Sequence, residues 1–130
     1  MPTSPARVLL VVDDIQRSDR ISEELTAIGL DASCCFSAGE AVSAVMSDPP
    51  EAVLVDAEVE DAESLMRWLR RGYTGMVCLL HEFDGAGHWR SWSEGGEEVL
   101  SGNDETETVV ARLMGALAAG PRVAVRAGRP

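Results

Sequence analysis

The sequence predicts an α/β domain, a doubly wound parallel sheet with helices on both faces. Three observations predict it. Short, continuously apolar runs recur along the 130 residues, without the polar alternation of half-exposed strands. Segments with apolar residues at helical spacing separate those runs. Acidic residues stand directly after two of the runs, where open α/β sheets collect their ligands.

The elements follow in order. "RVLLVV" (7–12) is the first strand and ends in Asp13-Asp14. Ile21, Leu25 and Ile28 then share one helical face, and Gly29 stops that helix. "ASCCF" (32–36) is a short second strand. Ser37 and Glu40 form a capping box for the helix "GEAVSAVM", which Asp48-Pro49-Pro50 ends. "AVLV" (52–55) is the third strand, and Leu65, Trp68 and Leu69 mark a helix ending near Gly72. "MVCLL" (76–80) is the fourth strand. The stretch 81–96 is irregular, rich in glycine, with a short helical pattern carrying Trp89 and Trp92. "EVL" (98–100) is a brief fifth strand. Asn103 or Asp104 caps a last helix that aligns Val110, Leu113 and Leu117 and ends at Gly120-Pro121. The reading is therefore a tail over 1–6, one domain over 7–119 and a mobile tail over 120–130.

Composition narrows the function classes. The net charge of −11 repels phosphate backbones and anionic membranes, so neither nucleic acid nor a membrane is expected as a partner. No apolar run approaches the length of a membrane span. The three cysteines, Cys34, Cys35 and Cys78, lack metal-ligand spacing and read as reduced thiols of a cytoplasmic protein. All eleven basic residues are arginine; the chain has no lysine.

The chemistry concentrates in "VLVDAEVEDAES" (53–64), where an apolar trio runs into Asp56 at the end of a buried strand. A charge there is costly unless a cation answers it. Asp13 and Asp14 end the first strand. If the two strands are neighbours, three carboxylates converge, and either a pKa rises or a cation enters. Oxygen ligands on such a rim suit Mg²⁺, which would also prepare Asp56 as a nucleophile toward a phosphoryl group. The plainer alternative makes Asp13 and Asp14 helix caps and Asp56 a turn residue.

"VLLVVDDIQRSDRISEELTAIGL" and "EAVLVDAEV" resemble the receiver domain of two-component response regulators, and so does "GGEEVLSGND" (95–104). The resemblance covers about residues 6–119. It implies a (βα)5 flavodoxin-like fold with strand order 2-1-3-4-5. It makes Asp56 the phosphoacceptor, with Asp14, Asp56 and the backbone carbonyl of Glu58 ligating Mg²⁺ and Asp13 acting through a bound water. A histidine kinase or a downstream effector would be the partner, and the protein itself would not be an enzyme.

The rest of that machinery departs from the family. Leu80 stands where receivers carry a Thr or Ser, and Gly102 where they carry a Lys, followed by Asn103 in place of Pro. The switching aromatic becomes Val99, and the loop after Asp56 has acids or Ser64 where Pro and Gly are usual. No lysine exists to be shifted into place by realignment. Arg17 is the nearest substitute cation, although a solvated arginine at a helix start is the more ordinary reading. Two outcomes compete: an atypical phosphoacceptor acting through protein contacts, and a receiver-like interaction module that is not phosphorylated. A small metal-dependent phosphoryl-transfer enzyme is a third, with no separate general acid–base at a motif spacing after Asp56.

Other features carry less. Trp89 is a candidate interface residue, while Trp92 aligns with a core position. His81 and His88 do not have the spacing of a zinc site. "GAGHW" lacks the third glycine of a dinucleotide loop. Asp13-Asp14 would repel the phosphate of a flavin nucleotide.

Overall fold

The computed structural model describes residues 6–81, 98–101, 110–111 and 113–115. Five parallel strands form one sheet: β1 (Arg7–Val11), β2 (Asp31–Cys35), β3 (Ala52–Asp56), β4 (Met76–His81) and β5 (Glu98–Ser101). Their order is β2-β1-β3-β4-β5, as the resemblance implied. Among the described residues, three helices lie between strands, α1 (Ile15–Ala27), α2 (Ala38–Ser47) and α3 (Ala62–Gly72), and residues 110–111 and 113–115 are also helical. The fold class read from the sequence is the one observed.

Strand alternation splits the core in two. Val8, Leu10, Val12, Leu54, Cys78 and Leu80 face the side covered by Ile21 and Leu25 of α1 and by Val110 and Leu113. Leu9, Val11, Val53, Val55 and Leu79 face α2 and α3, meeting Ala41, Val45, Leu65, Met66 and Leu69. Every residue of β3 is buried, which is why this strand reads as an unbroken apolar run. β2, at the sheet edge, is mostly exposed.

The punctuation works largely as the residues predict. Gly29 adopts φ 94°, and Gly29 N–H donates to Thr26 O and Leu30 N–H to Leu25 O, at 3.0 and 2.9 Å. That pair of bonds is a Schellman end for α1, with Leu30 packed back against the core. Ile28, expected on the buried face, is instead the cap residue and lies exposed. At α2, Glu40 N–H donates to Ser37 Oγ at 3.2 Å, but the Glu40 carboxylate accepts from Phe36 N–H at 2.8 Å. The expected box therefore closes one residue further upstream.

The expected cap at Asn103 or Asp104, the segment with Trp89 and Trp92, Leu117 and the tail over 120–130 lie outside the described residues. Among the described residues, no helix is long and apolar enough to cross a membrane.

Candidate functional site: a buried carboxylate paired with an arginine

The strands run parallel, so their carboxyl ends share one edge of the sheet. β1 pairs with β3 in the register Val11 to Val55, and β3 pairs with β4 in the register Asp56 to Leu80. Asp56 is the last residue of β3, and the Ala57 N–H donates to Leu80 O at 2.8 Å. Along β3 side chains alternate, so Asp56 shares the face of Leu54, the face that α1 covers. Asp56 is only 3 % exposed.

A group so buried needs partners for both oxygens. Oδ1 accepts the Glu58 N–H at 2.9 Å, a turn contact two residues on. Oδ2 meets Arg17 Nη1 at 3.2 Å. Arg17 lies four residues before Ile21 and eight before Leu25, so it extends their buried stripe toward the start of α1. Its side chain is 26 % exposed, with its charged head on the carboxylate. The expectation of a solvated Arg17 is thus corrected. The stripe that buries α1 carries the guanidinium to the strand end.

Burial is the main influence on Asp56 and pushes its pKa above the ordinary carboxylate value. The Glu58 N–H and the Arg17 guanidinium pull it down, and the nearby Asp13 charge raises it. Burial prevails over both contacts.

Asp13 and Asp14 are exposed. Asp14 is the N-cap of α1, its Oδ1 accepting from Gln16 N–H at 3.0 Å and Arg17 N–H at 3.2 Å. The capping alternative therefore describes Asp14 as observed, while Asp13 is near enough to Asp56 to be felt electrostatically. Glu58 enters the site through its backbone N–H. Leu80 is 1 % exposed and sits in the apolar cluster with Leu54, Val12 and Ile21, so no hydroxyl comes from the end of β4. Val99 belongs to β5. Gly102 and Trp89 lie outside the described residues.

One buried group escaped the sequence reading. Ser18 follows Arg17, is 1 % exposed, and its Oγ has no hydrogen-bond partner among the described residues. Its place on the inner face of α1, three residues before Ile21, was the available signal.

The arrangement does not fit a magnesium ion. Among the described residues, no three His, Cys, Asp or Glu side chains are grouped to hold a metal. Asp56 spends one oxygen on a backbone donor and the other on a guanidinium, and Asp14 turns an oxygen to its own helix. Arg17 brings a fixed positive charge to the place a divalent cation would take.

The arrangement of strands and helices is shared with solved receiver-domain structures. The chain has the receiver-domain fold. It superimposes on the receiver domain of the Francisella response regulator 1452 with a TM-score of 0.75 and 19 % identity, over 84 % of this chain and 93 % of that one. A response regulator receiver domain from Methylobacillus flagellatus gives 0.72 and 20 %, over 89 % and 98 %. The BeF3-activated N-terminal receiver domain of RstA from Klebsiella pneumoniae gives 0.75 and 22 %, over 83 % and 95 %. At these identities the likeness establishes the receiver fold. No protein-family model matches the sequence, and no curated protein does.

Proposed function

We propose that the protein is a receiver-fold signalling module that acts by binding a partner protein in the cytoplasm, and that phosphorylation of Asp56 does not operate it. The partner class is a histidine kinase or a downstream effector of a two-component pathway. The single observation that carries this reading is the Arg17–Asp56 pair. The carboxylate that would attack a phosphoryl group is already neutralised from within, at 3.2 Å, by a side chain that cannot lose its charge.

The neighbourhood supports the same reading. A phosphoryl group on Asp56 would meet the apolar Leu80 on the β4 side, where a hydroxyl would otherwise supply a charge-assisted hydrogen bond of about 1.5–3 kcal/mol. No lysine is present anywhere to clamp a phosphoryl oxygen. Moving a two-state domain from mostly off to mostly on takes about 5.5 kcal/mol of differential binding, and these losses remove much of its source.

The test is incubation with a small-molecule phosphodonor and Mg²⁺, followed by intact-mass spectrometry of wild type and Asp56→Asn. The expected spectra are identical and unmodified. A Mg²⁺-dependent acyl phosphate on wild type, missing from the variant, overturns the proposal in favour of an atypical phosphoacceptor.

A further inference from the structure

We propose that Arg17 is a built-in counter-cation that makes the acidic strand ends blind to divalent metal, and that removing its charge raises the affinity of the same pocket for a divalent cation. The inference deepens the reading that Asp56 is not operated by phosphorylation and rests on it.

Asp56 is buried, Asp13 lies close enough to act on it, and Asp14 stands next in the chain. Carboxylates gathered at a rim without compensation draw in a hard cation, because oxygen ligands are what Mg²⁺ takes. Here Arg17 Nη1 supplies the compensation at 3.2 Å from Asp56 Oδ2. The guanidinium is fastened at its other end, since Arg17 sits in α1 one turn before Ile21, a residue buried against β1 and β3. It enters the site from the helix and not from the loop after β5. Its backbone N–H is tied as well, donating to Asp14 Oδ1 at 3.2 Å, so the cation and the neighbouring carboxylate are held by the same helix start.

A divalent ion placed among these carboxylates would lie beside a fixed positive charge. Even at the full dielectric of water, a unit charge about 5 Å from a divalent ion weakens its binding by a factor of about 16. The lower dielectric near a buried carboxylate makes the factor larger. Replacing Arg17 by a neutral residue should then tighten Mg²⁺ binding by more than about tenfold at low ionic strength.

The experiment is calorimetric titration with Mg²⁺, paired with the Mg²⁺-dependent shift of the thermal midpoint, on wild type, Arg17→Gln and Arg17→Gln/Asp56→Asn. Wild type is expected to stay flat, Arg17→Gln to bind saturably with a raised midpoint, and the double variant to be flat again. Arg17→Met, which keeps an unbranched aliphatic side chain of similar reach, takes the place of Arg17→Gln if that variant does not fold. A wild-type response that saturates at millimolar Mg²⁺ overturns the proposal, as does a flat trace for the single variant. Equal binding by the single and double variants also overturns it, because the ion would then sit on other surface acids. A Mg²⁺-dependent acyl phosphate on wild-type Asp56 overturns both readings, whereas a flat trace for Arg17→Gln beside an unmodified wild type overturns this one alone and leaves the functional reading standing.

Discussion

The Arg17–Asp56 pair predicts an asymmetric double-mutant cycle. At 3.2 Å the gross Coulomb attraction is about 5 kcal/mol for an effective dielectric of about 20. Little of that survives as net stability. Removing one member of a fully buried pair costs about 3–5 kcal/mol, whereas an exposed pair is worth about 0–1. With side chains 26 % and 4 % exposed, this pair lies between, and Arg17→Met should lose about 2 kcal/mol. Asp56→Asn should behave differently. Burial raises the Asp56 pKa despite its two favourable contacts, so the ionised carboxylate is a net cost. Losing it should leave stability within about 1 kcal/mol of wild type, on the stable side, as Arg17 can turn to water. The double variant should match Asp56→Asn.

The dependence on pH follows with its sign. A carboxyl whose folded pKa lies above its unfolded one binds more protons in the folded state between the two values. Its contribution to stability therefore falls as pH rises through that interval and is lowest at neutral pH. Wild type should be relatively more stable near pH 4 than Asp56→Asn predicts, and the Arg17→Met penalty should shrink there, since a protonated Asp56 needs no cation. Urea unfolding followed by circular dichroism, with chelator present, at about pH 7 and about pH 4 measures all four proteins. Arg17 has interactions besides this one, and the cycle isolates the shared term. Equal losses in both single variants, or none in Arg17→Met, refute the electrostatic account.

Four further predictions come from local structure. Burial pushes the Cys35 thiol up to about 11, while Cys34 is exposed, so an alkylating reagent near neutral pH should label Cys34 first and reach Cys35 and Cys78 only on unfolding. Because that folded pKa lies above the unfolded one, stability should also fall as pH rises from about 9 to about 11, by up to about 2–3 kcal/mol; a flat alkaline profile removes this reasoning. A Cβ on Gly75 would meet the Tyr73 side chain and come within 2.8 Å of Glu51 O, and Tyr73 is pinned by donating its hydroxyl to Pro50 O at 2.6 Å. Gly75→Ala should therefore cost about 1–3 kcal/mol in chemical denaturation. Asp61 adopts φ 65° at the start of α3 without a side-chain capping bond, so Asp61→Gly should stabilise by about 0.5 kcal/mol, read as a higher denaturation midpoint.

The sheet was legible because its strands carry two buried faces. "AVLV" and "MVCLL" leave little room for another element between their turn residues, and β3 proved buried along its whole length. Gly29 and Ser37 fixed two helix ends by requirements that few residues meet, a positive φ and an N-cap oxygen. Asp56 stood out for a related reason, as a charge at the end of a run that leaves nothing exposed. Arg17 was harder. Its spacing to Ile21 and Leu25 was visible, but so was the ordinary habit of arginines at helix starts. Deciding between them took the parity of β3, which puts Asp56 on the α1 face, and the adjacency of β1 and β3. Neither can be had from the spacing of Arg17 alone. Glu40 reaching Phe36 in place of Ser37 was hidden likewise, because a side chain of that length spans either N–H.

The missing lysine and the paired arginine are answers to one electrostatic requirement. A carboxylate 3 % exposed at a strand end must be neutralised, and the source of the cation decides which element feels its charge state. A cation following β5 would tie Asp56 to the far edge of the sheet. Arg17 ties it to α1, the helix that covers β1 and β3 and starts at the acidic cap Asp14. Any event that alters the charge at Asp56 would then be transmitted first to the start of α1, where Arg17, the buried Ser18 and the exposed Ile15 lie within four residues. A partner that reads this site should accordingly contact the α1 end of the sheet, and substitutions at Ile15 should weaken its binding while leaving the fold intact.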